Sequence, residues 1–230
     1  MITAPLRPTF ARYRKMAFSP LTQLRWMQYE KIPQIRLQGR ILDVGGGKGA
    51  HYAGLLKPHG TLDSLNVNPK YEPTYVADAN RPWPIESALY DTVISFNTLE
   101  HVERDVFALG ELLRVLKPGG SFHILVPYLY KVHASPHDYH RHTAEGWTSM
   151  LREAGIPNES QTIEPMVWDS FSTAFSFLEM TRLRHLKPLA LLVGLLRLVG
   201  TGKSQHLPDK LVANWSEYAI GYHISGTKPL

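Results

Sequence analysis

An acid followed by alternating glycines is the stretch of this sequence with the clearest chemical meaning. Residues 41–49 read ILDVGGGKG, which places Asp43 before Gly45, Gly47 and Gly49. Glycines permit positive φ angles and let the backbone approach a ligand closely. An apolar run that ends in such a turn is typical of a first strand leading into a nucleotide-binding loop. A carboxylate at Asp43 would repel phosphate and attract an ammonium group, so the pattern favours a ligand with an amino group.

Two other interpretations of this stretch stay open at this point. Gly45, Gly47 and Ala50 also satisfy the G-x-G-x-x-G/A pattern of nicotinamide dinucleotide enzymes. Those enzymes place an apolar residue before the first glycine, because the pyrophosphate brings negative charge there. The stretch could also be a tight strand-to-helix turn that binds no ligand.

The order of several motifs resembles the class I S-adenosylmethionine (SAM) methyltransferases of the type 11 group. Their first motif is acid-x-Gly-x-Gly-x-Gly, and LEHV at 99–102 and LKPGG at 116–120 are also typical of them. The resemblance covers residues 40–156. It implies methyl transfer from SAM by an α/β protein with a Rossmann-like, seven-stranded, mostly parallel sheet, helices on both faces and a helical insertion before an antiparallel last strand.

The resemblance implies SAM-binding roles for the ends of the first two strands. Asp43 would receive the methionine ammonium of SAM, and the start of a helix after Gly49 would face its carboxylate. Asn66 stands where the family has an acid that holds the ribose hydroxyls. An asparagine offers one acceptor oxygen and no charge, so this position departs from the family pattern.

The third and fourth strands add further candidates. Asp78 and Ala79 match the pair that binds adenine in the family, although Asp78 by residue type would equally fit a turn cap before Asn80. Asn97 lies on the loop that would close over the sulfonium. Some relatives that methylate quinone precursors use E-x-x-E-H here in a metal site. Because Asn97 replaces the first acid, we predict no metal.

His101 is a candidate general base, since a histidine has an ordinary pKa near neutrality. The alternative is that Glu100 and His101 cap the next helix and orient the loop.

A histidine-rich loop at 127–143 is the predicted acceptor-binding lip. It carries the pattern H-D-Y-x-R-x-T, which several of these methyltransferases share, with His137, Asp138, Tyr139 and Arg141 at matching positions. His137 or Asp138 could take the proton of the acceptor, while Tyr139 and Arg141 would contact it. Arg141 could instead fix Asp138 in an ion pair. The histidine spacings also permit zinc or iron, but without supporting acids or thiolates we predict no metal.

The elements that must position these residues alternate between strand and helix from residue 40 onward, which is typical of a parallel sheet flanked by helices. A helix that ends at Pro33 precedes them, and Thr143 is the predicted N-cap of another. We predict further helices at 50–56 and 102–116, and strands at 40–44, 61–67, 74–76, 91–96, 121–126, 160–166 and 218–224.

We divide the chain into an N-terminal arm and helix (1–39) and a methyltransferase domain (40–230) with a helical insertion at 168–212. The apolar run 188–199 within that insertion is too short to span a bilayer. It fits a core helix, a homodimer face, a substrate lid or, with the basic flanks of 182–200, a peripheral membrane contact.

Composition narrows the function classes. The chain has 230 residues, a formal charge of +5 and no cysteine, which excludes disulfides and thiolate sites. Its amino terminus lacks a continuous apolar run, so we expect a cytoplasmic protein. The basic residues are not interleaved with aromatics, and we therefore expect no nucleic-acid partner. We expect a small-molecule, sugar or lipid-linked acceptor. The alternatives are a nicotinamide-dependent oxidoreductase or a non-catalytic SAM-binding protein at a membrane.

Overall fold

Seven strands form one sheet in the order β3-β2-β1-β4-β5-β7-β6. The computed structural model describes residues 1–3, 9–134, 136–181, 184–186 and 216–230, together with Leu189, Leu192 and Leu196. The strands are β1 (Leu37–Val44), β2 (Pro58–Asn66), β3 (Tyr75–Val76), β4 (Tyr90–Phe96), β5 (Leu116–Pro127), β6 (Gln161–Met166) and β7 (Gly221–Thr227).

The last strand is the one that runs against the others. β1 pairs in parallel with β2 and β4, and β4 pairs in parallel with β5. β7 is inserted between β5 and β6 and is antiparallel to both. This arrangement confirms the predicted α/β sheet. It also places the carboxyl ends of β1, β2, β4 and β5 at one edge, where open α/β sheets bind ligands.

Five α-helices cover the two faces within the described part of the chain. The side chain of Thr143 accepts a hydrogen bond from the Gly146 amide, so the predicted N-cap is confirmed. Pro33 lies in a 3₁₀ turn directly after the second helix. The helices are α1 (Phe10–Phe18), α2 (Gln23–Lys31), α3 (Asp105–Val115), α4 (Ala144–Glu153) and α5 (Ser170–Glu179).

The helix predicted at 50–56 is wrong: turns and a short 3₁₀ segment at Ala53–Leu55 stand there. β2 already begins at Pro58, so few residues remain between the glycine turn and the next strand. A helix that short gains little from propagation, and Gly54 weakens it further. LKPGG is likewise the start of β5 and not a turn before it.

The two faces of the sheet pack against different helices. Along β1, Leu42 and Val44 join the core under α3 and α4, while Ile41 joins the core that includes residues of α1 and α2. This alternation follows from the two-residue period of a strand. The N-terminal helices are therefore part of the same sandwich, and Trp168, which is fully buried, packs between Tyr13 and Trp26.

Most of the predicted insertion 168–212 lies outside the described residues. Within it, α5 and a 3₁₀ segment at Arg184–Leu186 are described. The apolar run 188–199 lies outside them apart from three leucines, so its predicted roles stay predictions. No helix in the described ranges is long and apolar enough to cross a membrane.

A chain of polar side chains crosses β5, β7 and β6 on the face of α2. His123 Nδ1 lies 3.2 Å from His223 Nε2, and His223 Nδ1 lies 3.4 Å from Glu164 Oε2. Lys31 of α2 donates to the same carboxylate oxygen at 2.5 Å. Burial lowers the pKa of His123 to about 3 and also lowers the pKa of His223. Both histidines are therefore neutral in the folded protein at neutral pH.

We expect the free energy of unfolding to fall as the pH drops below the ordinary histidine value of 6.5. The unfolded chain binds protons at His123 and His223 there, whereas the folded chain binds them only at lower pH, at about 3 for His123. Each histidine contributes a slope of about 1.4 kcal/mol per pH unit. His123→Gln should flatten the profile measured by urea unfolding from neutral to mildly acidic pH. His59→Gln, at an exposed position, is the control, and an unchanged slope in His123→Gln would contradict this account.

Candidate cofactor and acceptor site

The carboxylate of Asp43 is buried at the end of β1, with 2% of the residue exposed. The Tyr52 hydroxyl donates to its two oxygens at 2.9 and 3.1 Å. No cationic side chain among the described residues pairs with it. Burial raises the pKa of Asp43 to about 7, against the opposing effect of the Tyr52 hydrogen bond. The site thus holds a buried acid that lacks a positive partner.

The glycine turn is packed so closely that side chains are excluded. A Cβ on Gly46 would lie 1.8 Å from Asp43 Oδ2, and one on Gly45, whose φ is +85°, would lie 2.0 Å from Thr98 Oγ1. Gly47 has a φ of +140° and faces the carbonyl of Tyr71, which a Cβ would approach to 2.4 Å. The turn is therefore held between the acid of β1 and the segments that follow β2 and β4.

Asn66, at the end of β2, braces this turn. Its amide nitrogen donates to the carbonyls of Gly45 at 2.8 Å and Gly46 at 3.0 Å, and its oxygen accepts from the amide of Asn68 at 2.9 Å. An aspartate has no donor for the two carbonyls. The asparagine that replaces the family acid at position 66 therefore has a structural role. Its side chain fixes the glycine turn beside Asp43.

Asp78 and Ala79 follow β3 in a tight turn. The Oδ1 atom of Asp78 accepts from the backbone and side-chain nitrogens of Asn80, both at 2.9 Å, which is the turn-cap arrangement. Its Oδ2 atom lies 3.7 Å from Arg81 Nε on an exposed side chain. The Ala79 carbonyl accepts from Trp83 Nε1 at 3.5 Å. The adenine-binding role of this pair stays a prediction.

Asn97, after β4, is held by the N-terminal part of the chain. It exchanges two side-chain hydrogen bonds with Gln28 of α2, at 2.8 and 3.0 Å, and has a left-handed φ of 51°. Gln28 is buried. No pattern in the sequence indicates this contact, because the partners lie 69 positions apart. The contact of Tyr52 with Asp43 is likewise not predicted, because Tyr52 lies within the stretch 50–56 that the sequence predicts as a helix.

The turn Leu99–His101 places a buried acid beside a histidine. Both carboxylate oxygens of Glu100 have no hydrogen-bond partner among the described residues, and burial raises its pKa to about 8. It is thus protonated at neutral pH. His101 Nδ1 lies 2.6 Å from the His137 carbonyl, which can only accept. The ring proton therefore sits on Nδ1, and Nε2 keeps its lone pair, 3.7 Å from Glu100 Oε1.

Arg141 and Asp138 lock the histidine-rich loop. The guanidinium donates to both oxygens of Asp138, at 2.5 and 2.6 Å, and the backbone amide of His133 donates to the same carboxylate at 2.8 Å. Burial alone would raise the pKa of Asp138, but these hydrogen bonds outweigh it and lower the pKa to about 2. Such a carboxylate is a weak base at neutral pH, so the geometry favours the loop-fixing role over proton abstraction.

The loop folds back onto the turn that carries His101. Tyr139 donates its backbone amide to the Glu100 carbonyl at 2.8 Å, and His140 Nε2 lies 2.9 Å from the Glu103 carbonyl. The side chains of His137 and Tyr139 are exposed, and His137 reaches the turn through its backbone. The structure therefore brings the predicted loop and His101 together through backbone contacts, and leaves the side chains of His137 and Tyr139 exposed.

A small cavity that opens to solvent, with an enclosed space of about 10 Å³, lies behind this loop. It is bounded by Leu99 and Glu100, the end of β5, the start of α3 and α4. Most of its lining was not singled out in the sequence, because buried apolar residues of a turn and a strand carry no chemical pattern. The lining residues are Leu99, Glu100, Asp105, Val126, Pro127, His140, His142 and Trp147.

The comparisons with known proteins agree with this geometry. Residues 42–124 match the family model of a methyltransferase domain, of type 11. Comparison with curated protein sequences gives no match. Among solved structures, the chain is similar to a putative methyltransferase of Haloferax volcanii bound to a methyltransferase activator. The TM-score is 0.56 at 17% identity, covering 96% of this chain and 94% of that one.

Two further solved structures, one of a methyltransferase and one of a cyclase, also have folds similar to that of this chain. A phosphoethanolamine N-methyltransferase of Haemonchus contortus, with phosphomonomethylethanolamine and S-adenosylhomocysteine, gives a TM-score of 0.53 at 16% identity over 89% of this chain. Our chain spans about half of that protein, 53% of its length. The cyclase SpnF gives a TM-score of 0.53 at 18% identity, covering 90% and 81%.

The matched segment contains the end of β1, the glycine turn, β2, β4 and the Leu99–His101 turn. It therefore includes Asp43, Asn66 and Asn97. At these identities the solved structures show the fold alone, and the family model shows a methyltransferase domain over residues 42–124. Residues 42–124 of this chain therefore match a methyltransferase domain of type 11, within a fold that the chain shares with solved methyltransferases.

Proposed function

We propose that this protein transfers the methyl group of SAM to a hydroxyl of a small acceptor, or of the sugar or lipid-linked end of a larger one. The observation that carries the proposal is the buried Asp43 carboxylate, which has a neutral partner in Tyr52 and no cation among the described residues. A buried charge needs a partner of opposite sign, and the ammonium of SAM would supply one.

The methionine end of SAM fits the glycine turn. Asp43 would take the ammonium, while Gly45 and Gly47, which have positive φ angles, leave backbone in place of side chains around it. SAM itself supplies an activated sulfonium methyl when it is bound. A pyrophosphate at the same turn would face the Asp43 carboxylate, and this argues against the nicotinamide alternative.

The ribose and adenine end would rely on groups other than the family acid. The Asn66 amide is engaged with the carbonyls of Gly45 and Gly46, so its part is to hold the turn in place. Asp78 keeps Oδ2 outside its cap and beside the exposed Arg81. That oxygen could accept a hydrogen bond from a bound nucleoside.

The acceptor end of the reaction would use His101 and the cavity that its neighbours Leu99 and Glu100 line. The Nε2 lone pair of His101 can accept the hydroxyl proton as the acceptor oxygen forms its bond to the methyl carbon and the sulfonium bond breaks. The protein's larger contribution is alignment of the nucleophile and exclusion of water. His137 and Asp138 would act through the loop, His137 by its carbonyl and Asp138 by its ion pair.

The cavity lining favours a neutral and partly apolar acceptor end. Leu99, Val126, Pro127 and Trp147 give it apolar walls, and Glu100 is protonated there at neutral pH. The enclosed space is only about 10 Å³, room for about one water, so an acceptor would lie at the open mouth of this cavity.

SAM affinity should fall by about tenfold per pH unit below neutral pH, because protonation of Asp43, whose pKa is about 7, removes the charge that receives the ammonium. Isothermal titration of the chain with SAM across this range measures the effect. Methylthioadenosine, which lacks the ammonium, is the matched ligand and should show no such slope. Asp43→Asn should bind SAM weakly with no slope, and a slope that persists in this variant would refute the role of Asp43.

Asn66→Asp, which restores the family acid, should weaken SAM binding by about tenfold or more. The new side chain cannot donate to the carbonyls of Gly45 and Gly46, and two lost hydrogen bonds of about 1 kcal/mol each loosen the turn. Asn68→Asp adds the same charge at an exposed neighbour, where the side chain acts as an acceptor, and should leave affinity unchanged. Tighter SAM binding by Asn66→Asp would show that the position serves the ribose instead.

His101→Gln should lower kcat for a hydroxyl acceptor by about a hundredfold or more, with SAM affinity unchanged, because the base is lost and the cofactor turn is not touched. S-adenosylhomocysteine formed over a panel of small hydroxyl compounds, sugars and lipid-linked sugars gives the readout. His59→Gln is the control for loss of an exposed histidine. A kcat within twofold of the parent chain would exclude His101 as the base, and SAM binding with no turnover on any acceptor would favour a non-catalytic role.

A further inference from the structure

Three metal-ligating side chains converge on one wall of the cavity, apart from the cofactor turn. Asp105 opens α3, and His140 and His142 come from the histidine-rich loop. His142 Nε2 lies 2.5 Å from Asp105 Oδ2, and His140 Nε2 lies 3.7 Å from Asp105 Oδ1. The three ligand atoms all lie within 4.8 Å of one another.

The rings of His140 and His142 both lie beside Asp105, whereas one ion pair requires only one ring. A single histidine would satisfy Asp105, yet His140 and His142 stack at 5.4 Å with only 13° between their planes. His142 Nε2 contacts the Asp105 carboxylate, and His140 Nε2 lies beside the same carboxylate while it contacts the Glu103 carbonyl at 2.9 Å. Two imidazoles and one carboxylate are the donor set of catalytic zinc sites and of several iron sites.

We propose that Asp105, His140 and His142 bind a divalent transition-metal ion, with Zn²⁺ the best match. With zinc–ligand bonds of about 2.0–2.1 Å, ligand atoms of a tetrahedral site lie roughly 3.3–3.5 Å apart. The His140–Asp105 separation of 3.7 Å is close to this distance. The His142–Asp105 contact has to open by about 1 Å, as expected when a metal replaces the shared proton.

The surroundings hold the ligands in place. Asp105 is 5% exposed, and its Oδ1 atom accepts from the Val106 amide at 2.8 Å. The His142 ring packs edge-on against Trp147 at 5.4 Å. His140 has to give up its contact with the Glu103 carbonyl, because Nε2 needs its lone pair for the metal. Contacts of this kind orient metal ligands in proteins.

The cavity supplies an independent reason for a ligand here. All three proposed metal ligands line it, as does Glu100, whose buried carboxylate oxygens have no partner among the described residues. Three protein ligands leave a coordination position, and here it faces the cavity. An oxygen of a molecule in the cavity could occupy that position. This last step rests on the proposed function, whereas metal binding itself does not.

A second group of three, formed by Glu100, His101 and His133, is less suited to a cation. The Arg141 guanidinium lies 3.4 Å from His133 Nδ1, so a positive charge already stands beside that ligand. His101 Nδ1 is engaged by the His137 carbonyl. Arg141 donates to the backbone carbonyl of His140 at 2.7 Å, but no cationic side chain contacts the ring nitrogens of His140 or His142 among the described contacts.

The test uses ZnCl₂ and the EDTA-treated full chain. Isothermal titration should show one zinc per chain, and CoCl₂ should give visible absorption bands typical of a tetrahedral or five-coordinate site. His140→Gln and His142→Gln should each weaken zinc binding by about a hundredfold. His59→Gln, an exposed histidine elsewhere, and His133→Gln, from the second group, should bind zinc as the parent does.

Each other outcome overturns the proposal. Zinc binding that survives in both His140→Gln and His142→Gln would place the ion elsewhere, and loss in His133→Gln alone would assign it to the second group. Absence of stoichiometric binding to the parent chain would exclude the site. The titration needs no acceptor, so its failure is separate from a failure of methyl transfer, and SAM titration of the same samples confirms that the variants are folded.

Discussion

The buried carboxylate of Asp43 is the constraint on which the cofactor edge of this structure depends. A carboxylate at the end of a central strand, 2% exposed, is costly unless its surroundings compensate. Tyr52 gives a hydrogen bond from one side, and Gly46 lies so close that any side chain there would collide with the acid. Three features keep this acid in place. They are the close-packed glycine turn, the Tyr52 hydrogen bond and the hydrogen bonds from Asn66 to the turn.

The same edge of the sheet brings distant parts of the chain together. Gln28 from α2 holds Asn97 after β4, and the loop after β5 bonds back to the turn at Glu100. Each contact joins a strand end to a segment far away in sequence. A parallel sheet makes this possible, because its carboxyl ends meet at one edge. The N-terminal helices thus shape the site as well as covering one face of the sheet.

The sequence predicts the parts of this structure that depend on local interactions. It does not predict contacts between residues that lie far apart in the chain. The sheet, its antiparallel last strand and the Thr143 cap follow from periodicity, local capping and family motifs. The helix after the glycine turn does not form, because β2 begins earlier than its apolar pattern indicates. Tyr52 and Gln28 could not be foreseen, since their partners are set by the way the folded layers meet. Asp78 is a case in which the local alternative, the turn cap, is present and the ligand role is still open to test.

In the histidine-rich loop, the residues that match the family motif and the residues at its variable positions make different contacts. The residues that match the family pattern contact the loop itself and Glu100. They are Asp138, Tyr139 and Arg141. His140 and His142 fill the variable positions, and both line the cavity beside Asp105. Their partner, Asp105, lies 37 positions before His142. The loop sequence alone therefore does not show the carboxylate that would complete a set of metal ligands. The matching positions hold the loop together, while the variable positions place the rings of His140 and His142 beside Asp105 at the cavity.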